Sequence, residues 1–244
     1  MKVLKSRRSV MVKLGAALAA LPMGRSLAAP ARGEARARPA NARGMMVGMV
    51  VFDDFQLLDT FGPLEMFGWL DEVRIVMIAE RTGPIASSAG PAVNADHTFA
   101  DAPKLDILLI PGGGGTRREV DNPRMIEAIK ALSAAAPHVA SICTGAALLA
   151  RTGLLDGLKA TTNKRAFKWV GTQGPKVDWV RQARWVEDGK YFTSSGISAG
   201  MDMSLALIAK LSGSDRAERI ANRAEYHWNR DPHVDPFARL NGLE

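Results

Sequence analysis

The chain has 244 residues, 47% apolar and 23% charged, which suits one soluble domain with a substantial core. Its formal net charge of +7 points at first to a polyanion partner, but ten of the 32 basic residues and one of the 25 acidic residues fall within 1–43, leaving 22 basic against 24 acidic groups in the remainder. Residues 44–244 therefore have no basic excess with which to hold a polyanion, and no nucleic-acid partner is expected.

The leader KSRRSVMVKLGAALAALPMGRSLAA places the pair Arg7 and Arg8 before a modestly apolar stretch ending at Met23, then small residues through Ala29. This pattern resembles a twin-arginine export signal, cleaved after about Ala28 and followed by an Ala/Arg/Pro-rich tether to Arg43. An uncleaved basic tail is the alternative. The apolar stretch is interrupted by Lys13 and is short for a bilayer, so no stable membrane span is expected after cleavage. Export implies a periplasmic protein, with the cytoplasm as the alternative. The expected organisation is a signal and disordered tether over 1–43 and a single domain over 44–244.

From residue 45 the pattern alternates. MMVGMVVF (45–52) reads as a buried strand, LLDTFGPLEMFGWL (57–70) carries helical spacing, and VRIVMIAE (73–80) is a second strand. Residues 83–99, rich in Gly, Pro and Ser, predict a small hairpin or lid. DILLIPG (106–112) is the most strand-like run and ends in Gly112, Gly113, Gly114 and Gly115. A helix over 122–135 follows, then the strand VASI (139–142), feeding a helix at Thr144. A helix is predicted near 164–170, a hairpin turning at Asp188-Gly189 within 184–196, a helix over 198–213 stopped by Gly213, and a last helix over 216–228. Strands alternating with helices predict an α/β fold: a doubly wound, mostly parallel sandwich.

The only cysteine, Cys143, lies where the strand VASI meets a helix of small residues, in HVASICTGAALLA. A lone cysteine cannot form an internal disulfide. Ligands of open parallel sheets gather beyond the carboxyl ends of the strands, and a helix start there is expected to lower a thiol pKa. Gly145, Ala146 and Ala147 suit a nucleophile elbow. A buried, inert packing cysteine is the competing reading. Around Cys143, the N–H groups of Gly113 and Gly114 suit an oxyanion hole, and Thr144 either meets the substrate or sulfur or merely caps its helix. Asp59, set among Leu57, Leu58 and Phe61, is either a proton shuttle with a raised pKa or a helix N-cap. None of the histidines, His97, His138, His227 and His233, has an evident route to Cys143, and no cluster has metal-ligand spacing, so no metal is expected. Arg117 and Arg118 fit either an acid-recognising pair or a solvated loop, and the five tryptophans fit core or subunit contacts.

The ordered segments VVFDDFQLLDTFGPLEMF, DILLIPGGGG, SICTGAALLARTGLLDGLKATTNK and SSGISAGMDMSLAL resemble the ThiJ/PfpI superfamily of the class I glutamine amidotransferase-like fold. Within it they are most similar to isonitrile (cyclohexyl-isocyanide) hydratases and to the amidase-like domains of AraC-type regulators. The resemblance covers about residues 45–212. It implies a flavodoxin-like sandwich with a cysteine elbow, usually a homodimer, acting on a small molecule without a cofactor.

It also implies that Cys143 attacks an isonitrile carbon while Asp59 manages protons, giving an N-substituted formamide, with Thr144 following the nucleophile. Family proteases carry histidine in place of Thr144. Asn163, in ATTNK, stands where the hydratases have histidine and is carried over as a substrate-binding position that cannot act as an acid or base. The alternatives are glyoxalase or deglycase chemistry on α-dicarbonyls, and a non-catalytic redox or ligand sensor. The turn-rich tail HWNRDPHVDPFARLNGLE is too short for a helix-turn-helix domain, so transcriptional control is not expected.

Overall fold

The computed structural model describes residues 44–244, so the expected signal and tether over 1–43 lie outside the described residues. In chain order the elements are β1 (Met45–Val50), α1 (Leu57–Gly68), β2 (Val73–Ala79), β3 (Gly83–Ala86), β4 (Ala92–Ala95), β5 (His97–Thr98), β6 (Ile107–Ile110), α2 (Thr116–Glu119), α3 (Pro123–Ala135) and β7 (His138–Ile142). There follow α4 (Gly145–Arg151), β8 (Lys159–Ala160), α5 (Phe167–Gln173), β9 (Asp178–Trp179), β10 (Trp185–Asp188), β11 (Tyr191–Ser194), α6 (Ala199–Ser212), α7 (Ser214–Arg223) and α8 (Pro236–Leu240).

Seven strands form one sheet in the order β10-β11-β7-β6-β1-β2-β5, parallel throughout except for the β10/β11 hairpin at one edge. Helices flank it, α1, α6 and α7 packing as one group and α3, α4 and α5 as another. The central strands show why. Val47, Met49, Val50, Ile107, Leu108, Leu109, Ile110, Val139, Ala140 and Ile142 are all fully buried, the mark of parallel strands covered on both faces. Each of these side chains larger than alanine contributes roughly 1.5–3 kcal/mol of burial. Residues 83–99 supply the expected hairpin as β3 and β4, then a short strand, β5, that extends the main sheet beside β2. The hairpin is tied down, because Ser88 N–H donates to the Phe55 carbonyl and Asp54 N–H to that of Ala86.

Two helix expectations need correction. The helix predicted near 164–170 begins only at Phe167, because Lys164 turns inward and its ammonium donates to Thr161 Oγ1 (2.7 Å) and the Ala183 carbonyl (2.5 Å). The last helix, predicted over 216–228, stops at Arg223. Glu225 takes a left-handed φ of 49°, and the following residues turn away to reach Asp202, to which Tyr226 Oη and Asn229 N–H each donate at 2.9 Å. A local helical pattern loses there to a buried carboxylate that needs donors.

α1 and α6 approach closely through small residues. A Cβ on Gly200 would press on Ile142 and Pro63, and one on Gly62 would meet the Met201 side chain. That close contact brings the first turns of both helices to the carboxyl ends of the central strands. Among the described residues no helix is long and apolar enough to cross a membrane.

Candidate active site

β7 delivers Cys143 to the edge of the sheet and the chain then reverses into α4. Cys143 adopts φ 58°, a conformation an L-residue occupies only under constraint. The constraint is visible: its N–H donates to the carbonyls of Ser194 and Ser195 (3.2 Å each), and its own carbonyl accepts from the Thr162 hydroxyl at 2.8 Å. Gly145 is obligatory in the turn, since a Cβ there would overlap the Ile110 carbonyl oxygen. Ala146 to Ala150 are all buried beneath it. These features make a nucleophile elbow.

Three groups meet the sulfur: the Asp59 carboxyl, the Thr144 N–H and the Asn163 side-chain amide. Asp59 is the third residue of α1 and is completely buried. The N-cap alternative is corrected here, because Gln56 occupies that position and the Asp59 carboxylate instead crosses to the glycine run, where Gly112 N–H donates to Oδ2 at 3.0 Å. The other oxygen, Oδ1, is buried without a nitrogen or oxygen partner, and the carboxyl's remaining hydrogen bond is with the Cys143 thiol. Burial raises Asp59 to about 7, against the lowering pull of Gly112 and Cys143.

The expectation of a lowered thiol pKa is also corrected. Burial, and then the negative charge of Asp59, push Cys143 well above its ordinary value, and the Thr144 and Asn163 donors do not reverse this. α4 has only seven residues, and its dipole does not outweigh the loss of water. At rest the pair is a thiol beside a carboxyl that ionises near neutrality, two coupled sites that lose their protons in separate steps.

The glycine run divides its labour. Gly112 N–H serves Asp59, and Gly113 N–H, expected to face substrate, donates to Thr144 Oγ1 at 3.1 Å. Gly114 N–H is left without an acceptor among the described residues. The Thr144 hydroxyl is likewise spent inward, 3.1 Å from the Thr116 hydroxyl, so this residue offers the sulfur its backbone N–H. Asn163 Oδ1 accepts from Ala166 N–H at 3.0 Å, which turns its amide nitrogen toward the sulfur.

A cavity of about 350 Å³ opens above Cys143, lined by Gln56, Gly113, Gly114, Arg117, Cys143, Thr144, Asn163, Arg165, Ala166 and Ile197. Sequence reasoning missed Gln56, Arg165 and Ile197, which carry no local signal and are gathered from three separate loops. Arg117 and Arg118, adjacent in sequence, part company: Arg118 pairs with Asp54 (3.3 Å) and Glu119 (2.9 Å), whereas Arg117 faces the cavity with its guanidinium 4.4 Å from the Trp169 ring centroid. A larger cleft of about 680 Å³ lies at the opposite end of the sheet, where His138 begins β7, and is remote from the sulfur. No group of three or more metal-binding side chains occurs among the described residues.

Residues 45–210 match the DJ-1/PfpI family, and the chain belongs to it. It is 34% identical over 184 residues to an isonitrile hydratase of Pseudomonas putida, covering 75% of this chain and 78% of that one. It is 30% identical to a deglycase of Pyrococcus abyssi over 59% of this chain and 83% of that one. Among solved structures, a ThiJ/PfpI family protein from Pseudomonas syringae superposes with a TM-score of 0.71 at 27% identity, covering 90% of this chain and 93% of that one.

Proposed function

We propose that this DJ-1/PfpI-family chain is a cysteine-dependent enzyme that adds water to a small electrophile, an isonitrile in the first instance, giving an N-substituted formamide. The observation that carries this reading is the contact between the Cys143 thiol and an Asp59 carboxyl that ionises at about 7, on the floor of an open cavity. Similarity to the Pseudomonas putida hydratase suggests the substrate class.

In the reaction so derived, ionised Asp59 takes the thiol proton as sulfur attacks the terminal carbon of R–NC. Asp59 then returns the proton to that carbon, leaving the thioimidate S–CH=N–R. Water adds at the same carbon while nitrogen gains a proton. The resulting S–CH(OH)–NH–R collapses to R–NH–CHO, and the hydroxyl proton returns to sulfur through Asp59. Isonitrile plus water gives formamide, the thiol is regenerated, and the sequence uses no cofactor. The Thr144 N–H, which meets the sulfur, and the Gly114 N–H, which has no acceptor among the described residues, are left for the developing charge, and Asn163 holds the sulfur.

The test is formamide production from cyclohexyl isocyanide by the purified protein. The reading requires turnover by the wild type that Cys143→Ala removes; it falls if the wild type is inactive or the variant is equally active. A second reading, attack on an α-dicarbonyl, draws support from the deglycase relative and is tested by consumption of methylglyoxal. Stable Cys143 sulfinate without turnover of either substrate points instead to a sensor.

The proposed assembly is a homodimer, supported by the exposed Leu58 and Phe61 on α1, with analytical ultracentrifugation as its test. The proposed location is the periplasm, tested by fractionating cells that express the full chain and a variant with Arg7 and Arg8 replaced by lysine.

A further inference from the structure

We infer that the small molecule taken by this site carries a carboxylate, received by Arg117 and Arg165 at the mouth of the cavity. The inference rests on the cysteine chemistry proposed above and names the substrate class for it.

Two of the ten cavity-lining residues are arginines and none is acidic. Asp59 lies beneath the floor, fully buried and turned to Gly112 and the sulfur. The acids in the segments that flank the glycine run are already committed: Asp53 pairs with Arg81 (3.2 Å), while Asp54 and Glu119 both pair with Arg118. Neither Arg117 nor Arg165 has a carboxylate partner among the described residues. Arg118 thus neutralises the acids beside the glycine run and leaves its neighbour free.

Arg117 is free but not loose. Its guanidinium lies over the Trp169 ring of α5, the helix that follows Asn163 and Arg165. A cation–π contact uses none of the guanidinium's hydrogen-bond donors, and those donors match a carboxylate in a fork. Arg165, two residues from Asn163, whose amide meets the sulfur, lines the same cavity as Cys143. Ala166 and Ile197 line the cavity beside the two arginines, which leaves an apolar stretch for a linker between electrophile and carboxylate.

The experiment compares alkylation of Cys143 by iodoacetate and iodoacetamide, reagents that differ in one negative charge, in the wild type and in Arg117→Ala and Arg165→Ala. The expected result is an iodoacetate-to-iodoacetamide rate ratio that falls about tenfold in each variant and in the wild type at high salt. An unchanged ratio, or equal loss with both reagents, overturns the inference. A second arm measures kcat/KM for isocyanoacetate and cyclohexyl isocyanide. Preference for the anionic substrate that is lost in Arg117→Ala supports the inference. Turnover of cyclohexyl isocyanide with no such preference overturns the inference and leaves the hydratase reading standing. Charge-selective alkylation with no turnover of either isonitrile upholds the anion site and overturns the hydratase reading.

Discussion

Asp59 and Asp202 are both completely buried carboxylates, each in the first turn of its helix, α1 and α6, and the two helices pack against each other. Burial raises both above the ordinary aspartate value. They differ in what meets them. Asp202 receives Arg184 Nε at 2.6 Å and donors from Tyr226 and Asn229 at 2.9 Å each, which pull it back down. Asp59 receives one backbone N–H and a thiol, and one of its oxygens has no other partner. A satisfied buried carboxylate fastens the C-terminal segment to α6. A half-satisfied one keeps a proton in play beside the only cysteine.

The same contrast runs through the neighbours of each. Around Asp202, Arg184 also lies 3.7 Å from Asp235, and Lys164, brought down to about 8 by burial, is held by two oxygens. Arg184 and Asp202 satisfy each other there, and Asp235 accepts from Phe237 N–H through Oδ1 while its Oδ2 has no hydrogen-bond partner among the described residues. Around Asp59, the constrained backbone of Cys143 and the raised thiol store cost at one spot, as functional sites do.

The sharpest way to separate the two regions is to remove the sulfur. Cys143→Ala is expected to reduce formamide production at least 10³-fold, measured in steady-state assays, with stability altered by only about 1 kcal/mol. Next, Asp59→Asn is expected to reduce turnover by roughly 10²–10⁴-fold, the usual range for losing a proton-transfer group. Arg184→Met has the opposite profile: breaking a buried pair is expected to cost about 3–5 kcal/mol in urea unfolding, while the folded fraction keeps a reactive Cys143. Equal loss of stability in Asp59→Asn and Arg184→Met would erase the distinction.

Stability against pH sharpens it further. Asp59 is raised in the fold, so its protonated form is favoured there, and the wild type loses stability as pH climbs from about 4 to about 7. Asp59→Asn does not ionise. It is expected to be more stable than the wild type above pH 7, by up to about 4 kcal/mol, with the difference gone below about pH 4 in denaturant titrations. The smallest effect is expected at Gly196, where an added Cβ would overlap the Asn163 amide nitrogen. Gly196→Ala is expected to lower turnover roughly tenfold through loss of that hydrogen bond to sulfur.

The elbow was legible because its marks are local: β-branched strand residues, one cysteine, then Gly145, Ala146 and Ala147. The alternation of strands and helices likewise announced the parallel sheet. Residue type alone left Asp59 between a proton shuttle and a helix N-cap, and only the family resemblance assigned it to Cys143, since no spacing links residues on different loops. The raised thiol escaped sequence reasoning because depth of burial is set by the tertiary fold, and a helix start alone argues for the opposite shift. The tail from Tyr226 to Asn229 misled for a related reason, its helical spacing being overridden by the distant need of Asp202 for donors. Lys164 read as a helix residue for the same want of long-range information.

The central claim is that Asp59 takes the proton from Cys143. The pH dependence of Cys143 alkylation by iodoacetamide, followed by mass spectrometry in the wild type and in Asp59→Asn, tests it most directly. The account predicts a wild-type rate that rises through a titration near 7 and then levels until the thiol itself ionises well above 9, and a variant in which that first rise and plateau are absent. A single ionisation with the same midpoint in both proteins would contradict it.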